Sequence, residues 1–378
     1  MSLVEFLDNS ARAEARALPA PDPRARAFHR SMPGYAPSPL ADAPAAAARL
    51  GLARLAVKLE TERFGLPSFK VLGAAWATCR ALSLRAGLQP AATLDELRRI
   101  ALRLDGLTLV AATDGNHGRA VARMARLVGL GARILIPEHT ARARIEALAG
   151  EGADVELVRG SYDDAVARSA ELADDYHLVI SDTSWPGYET VPGWVADGYA
   201  TIFDELAEQL PGEPPPLVAV QIGVGALASA AVRALASPQR RIVGVEPAEA
   251  ACALRAVRAG APVLVPGPHR SIMAGLNCGL ASRVALPDLK SGIAAFCAID
   301  DRSAEEAVRL LLTDGLACGE TGASGVAGLL ALRESRPERT WERLGLEDPR
   351  PAALALCTEA PTDPQTFARI THAPPRRG

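Results

Sequence analysis

Short apolar segments alternate with amphipathic segments through most of the 378-residue chain, and this alternation constrains the fold more than any other feature. Each short segment is apolar nearly throughout, which is typical of strands buried on both faces. Strands are predicted at residues 54–59, 108–112, 133–136, 155–158, 178–180, 217–221, 241–246, 293–299 and 353–357, and helices at 118–128, 141–148, 162–172, 199–210 and 226–236, with others beginning at Lys70, Ser303 and Thr321. This order predicts an α/β fold in which parallel sheets carry helices on both faces.

The chain is long enough for two domains that share a cleft. A loop rich in Trp, Pro and Gly at residues 182–193 interrupts the first series, and a second series follows three prolines at 214–216. We predict a large domain formed by residues 1–80 and 201–378, and a small inserted α/β domain formed by residues 81–200. Residues 1–27, rich in Ala, Arg and Pro, are predicted to form an arm or a peripheral helix.

Composition excludes several classes of function. A net charge of −3 offers no basic surface for nucleic acid. No apolar run approaches the roughly 18 to 20 residues that span a bilayer, so we expect a soluble, cytoplasmic protein without a membrane partner. Six scattered cysteines without C-x-x-C spacing argue against a metal site and against a disulfide framework.

Only three of the 41 basic residues are lysines, and one of them, Lys70, precedes an apolar helix. Arginine keeps its proton near neutral pH, whereas a desolvated lysine can lose it and attack an aldehyde. Lys70 therefore predicts an imine. The alternative is an ordinary surface lysine, which is our interpretation of Lys290.

A glycine-rich stretch, Gly223 to Leu227, follows a predicted strand and opens a predicted helix. Free backbone N–H groups at such a helix start favour a phosphate. Gly223, Gly225 and Ala228, with Glu246 ending the next strand, also fit a dinucleotide fingerprint and hence an NAD-dependent dehydrogenase. A tight turn with nothing bound is the third interpretation.

Two acids and a cysteine follow other predicted strands. Asp114 lies at a strand-to-helix junction, where it could transfer protons or cap the helix. Asp182 falls at the same edge of the sheet, where ligands bind in open α/β folds, although an Asx-turn would also explain it. Cys357 ends the last strand and could be a small apolar filler.

Five stretches carry a resemblance: Phe28 to Ser31 with Pro33 to Pro37, Arg63 to Lys70, Ala112 to Arg119, Asp182 to Tyr188, and Cys357 to Glu359 with Thr362 and Asp363. Together they resemble the fold-type II (tryptophan synthase β-like) enzymes that use pyridoxal 5′-phosphate (PLP), and most closely the diaminopropionate ammonia-lyase family. The string from Thr113 to Gly118 is specific to that lyase group. The resemblance implies two three-layer parallel-sheet domains with PLP in the cleft between them, and a homodimer.

The same resemblance implies roles for single residues. Lys70, preceded by Phe69, would form the internal aldimine, and Asn116 would hydrogen-bond the phenolic oxygen of PLP. The phosphate would be held by Gly223, Val224, Gly225, Ala226 and Leu227. Cys357 would face the pyridine nitrogen, with Thr358 also binding the cofactor. A neutral partner at that nitrogen makes the ring a weaker electron sink and favours elimination over transamination.

The implied reaction is α,β-elimination of 2,3-diaminopropionate to pyruvate and two molecules of ammonia. Lys70 would be the base for the L-enantiomer and Asp114 for the D-enantiomer, because the two faces need bases on opposite sides. Asp182 would pair with the β-ammonium group of the substrate.

The motifs depart from the family pattern at five positions: Leu59, Pro67, Ser68, Ala360 and Pro361. Three alternatives therefore stay open: a serine or threonine dehydratase-like or β-replacement PLP enzyme on another β-substituted amino acid, the NAD-dependent dehydrogenase, and a catalytically silent homologue that senses an amino acid.

Overall fold

A computed structural model describes residues 3–9, 12, 19–113, 115–210, 212–335, 340–344, 346, 348 and 350–372. The strands are β1 (Leu3–Asp8), β2 (Leu40–Asp42), β3 (Arg54–Leu59), β4 (Thr108–Ala112), β5 (Gly131–Pro137), β6 (Asp154–Val158), β7 (His177–Val179), β8 (Leu217–Gln221), β9 (Arg241–Pro247), β10 (Ile293–Ile299) and β11 (Ala352–Cys357). The α-helices are α1 (Arg24–Arg30), α2 (Pro44–Leu50), α3 (Lys70–Arg85), α4 (Leu94–Ala101), α5 (Asn116–Val128), α6 (Arg142–Gly150), α7 (Tyr162–Glu171), α8 (Thr190–Gln209), α9 (Ala226–Leu235), α10 (Cys252–Ala259), α11 (Leu286–Gly292), α12 (Asp301–Thr313), α13 (Glu320–Ser335), α14 (Thr340–Arg343) and α15 (Pro364–Thr371).

The larger sheet has the strand order β1-β10-β9-β8-β11-β3-β2. Its five central strands are parallel, and β1 and β2 are antiparallel edge strands. Successive residues of β8 point to opposite faces: Val218 and Val220 pack into one core with α3, α8 and α9, whereas Leu217 and Ala219 pack into the other with α2, α12 and α13. This sheet is therefore covered by helices on both faces.

The smaller sheet has the order β6-β5-β4-β7, and all its strands are parallel. Helix α5 packs against one face and α7 against the other, with α5 in the core of Ile134 and Ile136, and α7 contributing Ala165 to the cluster around Val110 and Leu135. The α/β fold with two three-layer parallel-sheet units is thus confirmed.

Helices α3 and α8 connect the two sheets and pack closely against each other. The contact depends on glycines, because a Cβ atom on Gly198 would lie 2.5 Å from the carbonyl oxygen of Leu72, and one on Gly73 would lie 2.5 Å from the Tyr199 ring. Since each helix runs across one of the predicted domain limits, at residues 80 and 200, those limits stay a prediction.

Two regions differ from the sequence-based expectation. The segment predicted as an arm or helix contains strand β1, whose partner β10 lies almost 300 residues away in the chain, with Leu7 opposite Phe296. Helix α8 begins at Thr190, inside the predicted loop. Pro192 suggested a loop, but it occupies the first helical turn, where a missing N–H costs nothing.

A buried ionic cluster, formed by Lys58, Glu60, Arg63 and Glu205, joins the end of β3 to α8. The Arg63 guanidinium donates to Glu205 at 2.8 Å and to Glu60 at 2.6 Å, and Lys58 Nζ donates to Glu205 at 2.9 Å. All four residues are at most 2% exposed. Although burial opposes ionisation, hydrogen bonds and the charges of Arg63 and Lys58 lower the pKa of Glu205 to about 2.

No helix in the described part of the chain combines the length and the apolar composition that crossing a membrane requires.

Replacing Glu205 with Gln should lower the free energy of unfolding by about 3–5 kcal/mol, because Lys58 and Arg63 would remain buried with an uncompensated charge. Urea denaturation measures the change. The matched control is Glu208→Gln on the same helix, which removes an acid whose side chain is 56% exposed and pairs with Arg26. Equal losses in the two variants would contradict a special role for the cluster.

Candidate active site

A cleft lies where the carboxyl ends of strands from both sheets face each other. Its walls come from the segments that follow β4, β7, β8 and β11, together with the start of α3. Strand ends of this kind are where ligands bind in α/β folds, because the helix starts that follow them leave backbone N–H groups free. Of the predicted site residues, Phe69, Lys70, Asn116, Asp182, Gly223 to Leu227, and Thr358 line this cleft.

Lys70 is the first residue of α3, and its ammonium group donates to Asp182 Oδ2 at 2.7 Å. The lysine side chain is 18% exposed, whereas that of Asp182 is 5% exposed. Burial opposes ionisation of Asp182, but the Lys70 charge, His117 and two hydrogen bonds outweigh it and hold the pKa of this carboxyl well below its usual range. Asp182 is therefore an ionised acid inside the cleft, and the Asx-turn interpretation does not describe it.

Tyr162 and His117 complete the surroundings of Asp182. The Tyr162 hydroxyl donates to Asp182 Oδ1 at 3.1 Å. His117 Nδ1 lies 4.0 Å from Asp182 Oδ2, while its Nε2 donates to the Ile180 carbonyl at 2.8 Å. Sequence reasoning missed Tyr162, although it directly follows a strand and opens α7, the same kind of position that singled out Asp114.

Phe69 lies on the floor of the cleft at the end of the turn that leads into α3. Its ring packs on Tyr199 with centroids 4.7 Å apart, and Lys70 Nζ lies 5.6 Å from its centroid. These contacts fix the direction in which Lys70 leaves the helix.

The glycine loop Gly223 to Leu227 lies between β8 and α9. Gly225 has a φ of +104°, which favours glycine, and a Cβ atom on Gly223 would lie 3.0 Å from the Gly275 carbonyl oxygen. The loop therefore presents backbone N–H groups at the start of α9, in a cradle that a side chain would fill.

Glu246 does not take part in this cleft. It is fully buried, and its carboxylate accepts the N–H groups of Ala253 and Leu254 at 2.7 and 2.8 Å, at the start of α10. Burial raises its pKa to about 8. A side chain enclosed in this way cannot reach a ribose, so the dinucleotide interpretation lacks its acid.

Asn116 opens α5 across the cleft, and its amide Nδ2 donates to Glu359. Asp114 lies outside the described residues. The Thr113 hydroxyl accepts the N–H groups of Gly115 and Gly118 at 2.9 and 3.0 Å, so the helix start has a cap that does not depend on Asp114.

Cys357 is disulfide-bonded to Cys318, a bond that the cysteine spacing did not indicate. Its sulfur is therefore not a free thiol facing the cleft. The wall at this point belongs to Thr358, whose hydroxyl accepts from Gln221 Nε2 at 2.7 Å. Gln221, also missed, is the one polar residue of β8, a signal that the sequence did contain.

Comparison with known proteins places this arrangement in a family. The profile described as "Pyridoxal-phosphate dependent enzyme" matches residues 32–341. Diaminopropionate ammonia-lyase of Escherichia coli K12 is 34% identical over 360 residues, which cover 92% of this chain and 90% of that protein. The Salmonella typhimurium protein of the same name is 32% identical, with 91% and 90% covered.

Solved structures agree with the sequence comparison. Holo diaminopropionate ammonia-lyase from Escherichia coli superposes with a TM-score of 0.87 at 30% identity, covering 99% of both chains. The same enzyme in complex with an aminoacrylate-PLP azomethine reaction intermediate superposes with a TM-score of 0.85 at 31% identity, covering 98% of both chains. The chain therefore belongs to the pyridoxal-phosphate dependent enzymes of fold-type II and, among them, to the diaminopropionate ammonia-lyase family.

Proposed function

We propose that the protein is a PLP-dependent ammonia-lyase that converts 2,3-diaminopropionate and one water molecule into pyruvate and two molecules of ammonia. The observation that carries this proposal is the Lys70–Asp182 pair, which sets a lysine amine and an ionised, buried carboxylate at 2.7 Å inside one cleft. The substrate carries an ammonium group on its β-carbon, and that cation needs an anionic partner when it leaves water.

The residues of the cleft fit PLP. We propose that the loop from Gly223 to Leu227 holds the phosphate, since its N–H groups open α9 and its glycines leave room. Asn116 would donate an N–H to the phenolic oxygen, with Phe69 below the ring. When bound, PLP supplies an electron sink for the negative charge that develops at the substrate α-carbon.

We propose that Thr358, not Cys357, is the neutral partner of the pyridine nitrogen. Cys357 is bonded to Cys318, while the Thr358 hydroxyl accepts from Gln221 and keeps its own proton to donate. A neutral partner leaves that nitrogen without a full positive charge, so the argument for elimination over transamination is kept.

Lys70 and Asp114 are the proposed bases. Lys70 Nζ would take the α-proton of the L-enantiomer once substrate occupies the cleft, and Asp114, from the loop before α5, would serve the D-enantiomer. Asp182 would accept hydrogen bonds from the β-ammonium, which leaves as neutral ammonia when the β-carbon–nitrogen bond breaks. Tyr162 would hold Asp182 in place through its hydroxyl. Hydrolysis of the remaining enamine releases the second ammonia and pyruvate.

Lys70→Ala should abolish covalent retention of PLP, because the cleft then lacks its amine nucleophile. Borohydride reduction followed by peptide mass spectrometry should find the cofactor on Lys70 in the wild-type protein and none in the variant. Lys290→Ala is the matched control, because Lys290 is exposed on α11 and should not affect the label. Labelling of another lysine in the wild-type protein would contradict the assignment.

Asp182→Asn should lower kcat/KM for 2,3-diaminopropionate about 10- to 100-fold more than for serine, because only the first substrate has an ammonium leaving group to meet the lost charge. Loss of the Lys70 contact affects both substrates alike, so the ratio isolates the ammonium. Pyruvate release measures both rates, with D- and L-isomers tested separately.

Tyr162→Phe serves as the control for that ratio, since it removes a hydrogen bond to Asp182 without removing charge. We expect it to change the two substrates by similar factors. Equal losses for both substrates in Asp182→Asn would instead favour a serine or threonine dehydratase-like enzyme.

We also propose a homodimer and a cytoplasmic location, both on the strength of the family resemblance. Light scattering of the purified protein should give twice the mass of one chain. A mass equal to one chain would contradict the dimer.

A further inference from the structure

Glu359 is a buried acid in the loop after β11 that the proposed roles leave unused. It is 3% exposed. Its backbone pairs with Ser68 in an isolated bridge, its carbonyl oxygen accepts the N–H of Gly319 at 3.0 Å, and the next residue, Ala360, donates to the Pro67 carbonyl at 2.9 Å. Glu359 therefore lies where the segment before Lys70 meets the segment before α13.

Its side chain contacts Asn116 from behind. Asn116 Nδ2 donates to Glu359 Oε2. Because a carboxylate can only accept, this contact turns the NH₂ end of the amide toward Glu359 and prevents the amide from flipping. One amide N–H is used in the contact, and the second remains for a partner in the cleft that Asn116 lines.

A second buried acid decides where the proton resides. Glu320, the first residue of α13, is 2% exposed, and burial together with the charge of Glu359 raises its pKa to about 7. Arg144 opposes this rise and Asp363 adds to it. Below neutral pH the proton of this pair therefore stays on Glu320, and Glu359 keeps its charge.

The other charged groups at the cleft are Lys70, Asp182 and His117. Lys70 and Asp182 form an ion pair, and His117 donates to a carbonyl behind Asp182. These groups lie on the Asp182 side of the cleft, whereas Glu359 contacts the residue assigned to the phenolic oxygen. The two acids therefore act at different ends of the bound ring.

We propose that Glu359 is a positioning residue for the cofactor: it holds Asn116 with an N–H toward the phenolic oxygen of PLP, and its negative charge favours the protonated, violet-absorbing form of the bound cofactor. This inference rests on the proposed placement of PLP in the cleft. A nearby anion stabilises a cation more than its neutral form, and the attenuation of that effect inside a protein is modest.

The test is a pH titration of the violet absorption band of the PLP-loaded protein without any substrate. Glu359→Gln keeps an oxygen that can accept the Asn116 N–H but removes the charge. We expect the midpoint of the band to fall by about one pH unit, with PLP affinity kept within a few-fold. Glu306→Gln is the matched control, because it removes the same charge from the partly exposed surface of α12. An unchanged midpoint in Glu359→Gln, or an equal shift in Glu306→Gln, would overturn the proposal.

Glu359→Asp tests the contact instead of the charge. The shorter side chain keeps its negative charge but is drawn back from Asn116 by one carbon atom. We expect the midpoint to stay near the wild-type value while the dissociation constant of PLP rises about tenfold, the effect of one hydrogen bond. A Glu359→Asp protein with wild-type PLP affinity would contradict the positioning role. Because no substrate is present, these results do not depend on whether diaminopropionate is the substrate.

Discussion

The position of Lys70 depends on the buried ionic cluster that precedes it. Glu205 on α8 receives Lys58 from strand β3 and Arg63 from the turn that follows it, so the chain between them is fixed at both ends. Charges without water are costly alone, and they become tolerable when each finds a partner with good geometry. Lys70 lies seven residues beyond Arg63, at the start of a helix that packs against the same α8. The reactive amine is therefore anchored by a polar cluster on one side and by close helix contact on the other.

The cleft separates acids by environment. Asp182 faces the Lys70 ammonium and stays ionised, Glu320 is buried beside another acid and holds its proton up to about pH 7, and Glu246 is enclosed at the start of α10, away from the cleft. The same carboxyl group thus serves as a charge partner, a neutral acid or a helix cap according to its neighbours. A lyase that must bind a cation and move protons within one cleft needs this separation.

Local sequence patterns predicted most of the fold because buried parallel strands are apolar throughout and the helices between them have their own period. The edge strand β1 escaped prediction because an edge strand is stabilised by its partner, here β10, which is remote in sequence. The start of α8 was misplaced because Pro192 reads as a helix breaker when its position within the helix is unknown. The dinucleotide interpretation failed for a similar reason, since spacing located Glu246 but gave no indication that its carboxylate caps a helix.

The motifs by themselves determined the family, the cofactor and the identity of the reactive lysine, because a phosphate loop and an amine nucleophile need particular residue types in a particular local order. Tertiary structure alone decided what surrounds them. The Lys70–Asp182 pair, the Tyr162 hydroxyl on Asp182, the Glu359 contact to Asn116 and the bond between Cys318 and Cys357 all join residues that are distant in the chain. Charge states and hydrogen-bond directions depend on distances across space, and these distances exist only once the two sheets have packed around α3 and α8.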